Sequence, residues 1–327
     1  MSDLTNRYEI LFLYECTDCN PNGDPLDENR PRTDPDTGEA TITDVRIKRT
    51  VRDYFIAQEP DVEKRLANGK EILIRDTEKP DGTLSQGSDR AKQFSQELTE
   101  GKKKKGDNQK LQEVILSQCI DARLFGTAVP LGKGESSLKL TGPVQFSAFN
   151  RSLHKVSPVM VQQTAAFASK ATAQQKGFAE RWLVPYALIA AYGMVNEGAA
   201  QTTHMTKADL DDLLDGLWFG TAALNTHSKM GHDPLLLIVA EYTPGQHIGK
   251  LSRRIKLVKN EQLEDTALRS TDDYQLDVSR LLNAFKDCQA LNLITVKQDN
   301  TLQCQYNKET GDFLSLAKQV GLSVKKW

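Results

Sequence analysis

The sequence predicts an α+β fold of the ferredoxin-like, RNA-recognition type, and three observations carry that reading. Residues 8–16 (YEILFLYEC) form a nearly continuous apolar run of strand length. The run lacks clean alternation, which places it centrally in a sheet. Ile47, Val51 and Tyr54 recur at spacings of four and three, the period of one helix face. Downstream, residues 140–148, 181–192 and 234–242 read as strands, with an amphipathic helix at 206–219 between the last two. The resulting order, strand, helix, strand, strand, helix, strand, is a βαβ–βαβ skeleton.

The elements follow in order. Residues 17–43 hold four prolines and two glycines and read as a loop, opened by a turn at 20–25. Thr43 is placed to cap the next helix, with Asp44 in its first turn. Residues 60–118 look like an insertion. A short apolar piece at 71–74 sits among Gly, Asp, Ser and Lys, and the run GKKKKGD at 101–107 reads as a mobile tip. Helical spacing runs over 108–123 through Leu111, Val114, Ile115 and Ile120. Residues 124–135 read as loop, and the strand at 140–148 is broken at Pro143. Residues 151–177 have weak periodicity and suit a hairpin or extended arm. Thr206 caps its helix, and residues 250–327 mix short strands and helices.

The totals bound the class. No apolar run among the 327 residues reaches the ~20 needed to cross a membrane. The first residues lack the basic-then-apolar pattern of a signal peptide. Five cysteines do not make a disulfide scaffold in a chain of this length. A cytoplasmic protein with reduced thiols is expected. The net charge is -2, but its distribution is uneven. Residues 136–179 contain no acid and carry Lys139, Arg151, Lys155, Lys170 and Lys176. One basic and one acidic surface would suit a subunit that stacks on itself along a polyanion.

Several residue groups are candidates for binding. Arg46, Lys48, Arg49 and Arg52 crowd one side of the first helix, with Asp53 as the acid expected to face them. Cations at such spacing release counterions on meeting phosphates and give affinity without reading sequence. In the acid-free arm, Asn150, Arg151, Ser152 and Lys155 offer charge and hydrogen bonds, with Phe149 able to stack on bases and Phe146 assigned to the core. Asn20 and Asn22 shape a strand end and line a groove or a subunit contact. Ser228 and Lys229 are further contact candidates. Asp18 through Asp24 begins like a calcium loop, but the twelfth position is Asn29 rather than Glu. Cys16 and Cys19 form a lone C-x-x-C. Cys119, Cys288 and Cys304 supply no matching second pair, so structural thiols, no metal and no cofactor are expected. No catalytic constellation stands out.

The string RYEILFLY, the loop NPNGDP, the segment ENRPRTDPDTG and the run TDVRIKRTVRDY, with DARLFG at 121–126 and TGPVQFSAFNRS at 141–152, resemble one family. It is the backbone subunit of type I CRISPR Cascade complexes, subtype I-B more than I-C. The resemblance covers roughly the first half of the chain. It implies a hand-shaped single domain, with a palm at 1–59, 119–149 and 179–327, fingers at 60–118 and a thumb at 150–178. It implies that the helix cations face the backbone of a CRISPR guide RNA. The thumb would wedge into the guide strand, with Val159, Met160 and Val161 the apolar residues at its tip. Lys102, Lys103, Lys104 and Lys105 would touch target DNA or the next subunit. Further copies of itself, a subunit capping the guide's 5′ end and a large subunit are the implied partners.

An endoribonuclease is the alternative. In it Asp24 would support metal-assisted cleavage, or His154 with Lys155 would move protons. A nucleic-acid-binding regulator is a third class, but no helix-turn-helix is present.

Overall fold

The computed structural model describes residues 3–78, 82–95, 107–129, 137–168 and 176–327. Among them a nine-stranded sheet dominates. Its strands are β1 (Arg7–Cys19), β2 (Glu39–Thr43), β3 (Val144–Phe146), β4 (Phe149–Lys155), β5 (Val159–Ala168), β6 (Lys176–Val195), β7 (His232–Tyr242), β8 (Leu291–Gln298) and β9 (Val324–Lys326). The order across the sheet is β9-β8-β7-β1-β6-β4-β2, with β3 and β5 also on β6. β1 runs antiparallel to both neighbours, Leu13 lying between Ala190 and Leu236. Only β9 joins parallel, on β8.

The central run of β1 is apolar on both sides because both faces are covered. Ile10, Phe12 and Tyr14 share a core with Ile47 and Val51 of α1 (Asp44–Gln58) and with Leu213 and Leu217 of a helix at Lys207–Ala222. Leu11 and Leu13 point the other way, into a core with Leu236, Ile238, Phe285 and Phe313. A side chain so buried contributes roughly 1.5–3 kcal/mol. A charge on either face of β1 would therefore be costly.

Both main helices start as their sequences require. The Thr43 hydroxyl accepts from the Arg46 N–H at 3.3 Å. Thr206 and Asp209 form a reciprocal capping box. With α2 taken as Ile120–Phe125 and α3 as Lys207–Ala222, α1 and α3 lie side by side. Gly216 and Gly220 permit the approach: a Cβ on Gly216 would lie 2.9 Å from Val51 Cγ1, and one on Gly220 2.9 Å from Tyr54 Cβ and 3.2 Å from the Thr50 carbonyl.

Four expectations change. Residues 17–43 are not all loop, since β1 runs on to Cys19 and β2 pairs with β4. The helix expected over 108–123 is two, Asp107–Gln118 and α2, separated by Cys119 in extended conformation (φ -114°, ψ 110°). The break lets Glu71 bridge the backbone: its N–H donates to Gln118 and its carbonyl accepts from Ile120. The Glu71 carboxylate then gathers Arg65, Arg75 and Arg90. Residues 124–135 are not all loop, since α2 runs to Phe125 and a strand, Gly126–Val129, follows. The arm at 151–177 begins as sheet: β4 pairs with β2 and β6, and only then does β5 fold onto β6 as a hairpin.

The inserted region carries its own small core of Leu73, Phe94, Leu111, Ile115 and Leu116, extended by Cys119, Val129 and Leu138. No helix among the described residues is long and apolar enough to cross a membrane.

Candidate nucleic-acid interface

Three of the four α1 cations are neutralised within the protein. Lys48 pairs with Asp44 at 2.9 Å, one turn earlier, and Arg49 with Asp53 at 2.7 Å. Arg52 is 8% exposed and bonds Asp121 at 2.8 Å. This corrects the expectation that Arg52 meets phosphate. It also corrects the acid count, since Asp44 opens the helix and lies one turn from Lys48. Arg46 differs: it has no salt bridge among the described residues, and its guanidinium donates to the Thr50 hydroxyl at 3.0 Å. Burial lowers its pKa.

A second cation adjoins Arg46. The Lys229 ammonium donates to the carbonyls of Asn20 and Pro21. Burial first, then repulsion from Arg46, brings its pKa down to about 8. Two partly desolvated cations beside one turn attract an anion more strongly than either alone. The Asn20 backbone N–H donates to Ser228 O at 2.9 Å. The chain thus brings together two segments that sequence reading kept apart, Asn20–Asn22 and Ser228–Lys229.

The two asparagines act on the protein itself. Asn20 is 2% exposed and donates to Asn29 O. Asn22 accepts from the N–H and hydroxyl of Thr43, tying the turn to the α1 cap. Beside them lies a cleft of about 200 Å³ bordered by Asn29, Arg181, Trp182, His227 and Ser228. In it Arg181 donates to the His227 ring at 2.6 Å. The Trp182 ring also carries the guanidinium of Arg30, a wall residue of a neighbouring groove, 4.8 Å from its centre.

Two larger grooves, of about 420 and 550 Å³, meet at Asp34, Phe149 and Arg151. Phe149 is 58% exposed, whereas Phe146 is buried as expected. Arg151 bonds Asp34 and approaches Glu39 at 3.6 Å. The guanidinium holds the Asp34 carboxyl down to about 2. Lys155 is exposed. Asn150 and Ser152 are each 2% exposed. Asn150 accepts from Tyr192 N–H and donates to Ser147 O. Ser152 accepts from Ala40 N–H and donates to His154 O. These side chains lock β4 to its neighbours instead of reaching a ligand, which corrects their assignment.

Among the described residues, Asn20, Arg32 and Arg181 border these clefts and each holds one buried atom with no protein partner, Asn20 Oδ1, Arg32 Nε and Arg181 Nε. Other atoms of the same side chains are engaged by Asn29, Asp24 and His227.

Val159, Met160 and Val161 pair with Leu183, Trp182 and Arg181. They lie at the base of the hairpin and not at its tip, because β5 continues to Ala168. Val159 and Met160 are exposed there. Lys102–Lys105 lie outside the described residues. Arg30, Arg32, Arg181, Trp182 and His227 were not singled out from sequence. The signal for the first two was present: two arginines two apart around Pro31, in extended backbone, project to one side.

Both nuclease candidates are engaged within the protein. His154 is 4% exposed, its Nδ1 bonded to Lys155 O and its Nε2 to Leu188 N–H. Asp24 is paired with Arg32 at 3.0 Å.

A family model described as "CRISPR-associated protein Cas7" matches residues 6–279. A curated relative of that description from Haloferax volcanii is 29% identical over 345 residues, covering 98% of this chain and 95% of its own. A solved chain described as "CRISPR RNA-guided surveillance complex, pre-nicking" superposes with a TM-score of 0.54 over 96% of this chain and 98% of that one, at 14% identity. That likeness is one of fold.

Proposed function

The chain belongs to the Cas7 family of CRISPR-associated proteins, and from that premise we infer that it is a guide-RNA-binding backbone subunit of a type I surveillance complex. Copies would line up on one CRISPR RNA and present its bases for pairing with invading DNA. Specificity would then rest on base pairing, with the protein holding the strand. The single observation that carries the binding site is the pair of partly desolvated cations, Arg46 and Lys229, beside the Asn20–Pro21 turn with no carboxylate paired to either among the described residues. Phe149 and Trp182 add stacking surface.

In this reading β1, α1, β3–β4, β6, α3 and β7 form a ferredoxin-like palm, residues 60–118 the fingers, and the β5–β6 hairpin the thumb. The partners are further copies, a 5′-end-capping subunit and a large subunit, in the cytoplasm, with subtype I-B favoured. The subunit does not cut RNA: the engaged ring of His154 and the Arg32-paired Asp24 support this.

Purification from native cells tests the reading. Discrete RNAs of repeat-plus-spacer length, co-eluting with several copies of the chain, are expected. Recovery of RNA-free monomer under conditions that keep other CRISPR complexes intact would count against it.

A further inference from the structure

Cys16 and Cys19 close β1, and a regular strand would send residues three apart to opposite faces. Asp18 breaks that rule. Its φ of 49° lies in the left-handed region, which turns the chain and brings both thiols to one side. Across the sheet, Cys16 is the register partner of His232 at the start of β7. All three residues are buried, and their ligand atoms lie within 4.8 Å of one another. No other group among the described residues brings three such atoms so close.

The spacing suits a tetrahedral ion. With Zn–S near 2.3 Å and Zn–N near 2.0–2.1 Å, neighbouring sulfur and nitrogen ligands stand about 3.6 Å apart. Cys19 Sγ and His232 Nδ1 are 3.5 Å apart. We propose that Cys16, Cys19 and His232 form a binding site for a thiophilic divalent cation, with zinc the ion of first choice. Sequence spacing alone could not show it, because the third ligand comes from another strand.

A divalent ion would take both sulfurs as thiolates, whose two charges balance its own, and its binding would release their protons. Ligation through His232 Nδ1 would need the tautomer protonated at Nε2, in place of the Nδ1–H that now donates to Lys229 O at 2.6 Å. The ion would pin the end of β1 to the start of β7. Those ends carry the Asn20–Pro21 turn and the Ser228–Lys229 loop. The proposal does not depend on what binds in the grooves.

Cobalt is the probe. Full-length reduced protein, stripped by chelator and dialysed, is titrated with Co²⁺ and then with Zn²⁺. A thiolate-to-cobalt charge-transfer band saturating at one ion per chain, and abolished by zinc, is expected. Cys19→Ser and His232→Gln should lose it, while Cys119→Ser, a buried thiol outside the cluster, should keep it. Absence of the band in the unaltered protein, or its full retention in Cys19→Ser, overturns the site. If the variants fail to fold, the unaltered chain still decides. Added zinc should raise its thermal midpoint by a few degrees, as any ligand of the folded state does. An unmoved midpoint contradicts the proposal.

Discussion

Arg52 and Asp121 form a 2.8 Å salt bridge with side chains 9% and 1% exposed, and it fastens α1 to α2. Asp121 also accepts the N–H groups of Leu73 and Ile74, at 2.7 and 3.1 Å, so one carboxylate joins the central helix to the inserted region.

Removing the cation leaves that carboxylate buried and unpaired. Arg52→Ala should cost about 3–5 kcal/mol, read as a lower urea midpoint, with little change in the salt dependence of RNA binding by the folded fraction. Arg46→Ala should do the opposite. Its stability stays close to that of the parent, and the log–log salt slope falls by roughly 0.7, the value for one single-strand phosphate contact. An unchanged slope would remove Arg46 from the interface.

Phe149 is more than half exposed at the junction of the two larger grooves. Phe149→Ala should therefore weaken RNA binding by about 1–3 kcal/mol at nearly unchanged thermal stability, and Phe149→Trp should preserve it. Fluorescence anisotropy with two RNAs of unrelated sequence checks this, since stacking should be lost equally for both.

Gly216 and Gly220 sit where α3 meets α1. Replacing a helix-interior glycine normally stabilises, by up to about 1 kcal/mol for alanine. Here the added carbon at Gly220 meets Tyr54 Cβ and the Thr50 carbonyl. Gly220→Leu should lower stability by about 1–3 kcal/mol through overpacking, measured by calorimetry. A rise in the midpoint would mean the helices can separate at no cost.

His154 is buried, and that burial lowers its pKa below the usual imidazole value. The unfolded chain takes up a proton as pH falls through about 6.5, while the folded chain does so only at lower pH. Stability from this group is therefore present above that value and lost as pH falls towards the folded-state pKa. Urea midpoints compared between about pH 7 and pH 5 should drop more steeply in the parent than in His154→Asn. Equal slopes would contradict the assignment.

Much of the frame was legible because its signals are local. The unbroken run of β1, the Ile47–Val51–Tyr54 stripe and the caps at Thr43 and Thr206 each lie within a few residues of what they determine. The site was legible in type but less so in detail. Arg52 looked like a free cation until Asp121, 69 positions away, came to meet it. Cys16 and Cys19 looked like an isolated pair because His232, 213 positions beyond Cys19, is brought close only by sheet register. Asn150 and Ser152 have ligand-like side chains, yet their hydrogen bonds go to neighbouring strands. Distant partners, and not residue type, decided these cases.

Native mass spectrometry of the purified chain mixed with single-stranded RNAs of increasing length and unrelated sequence tests the central claim most directly. If the protein is a backbone subunit, the number of copies bound should climb in regular steps with RNA length, with the same step for every sequence. One copy per RNA whatever its length, or binding confined to one sequence, would contradict the account.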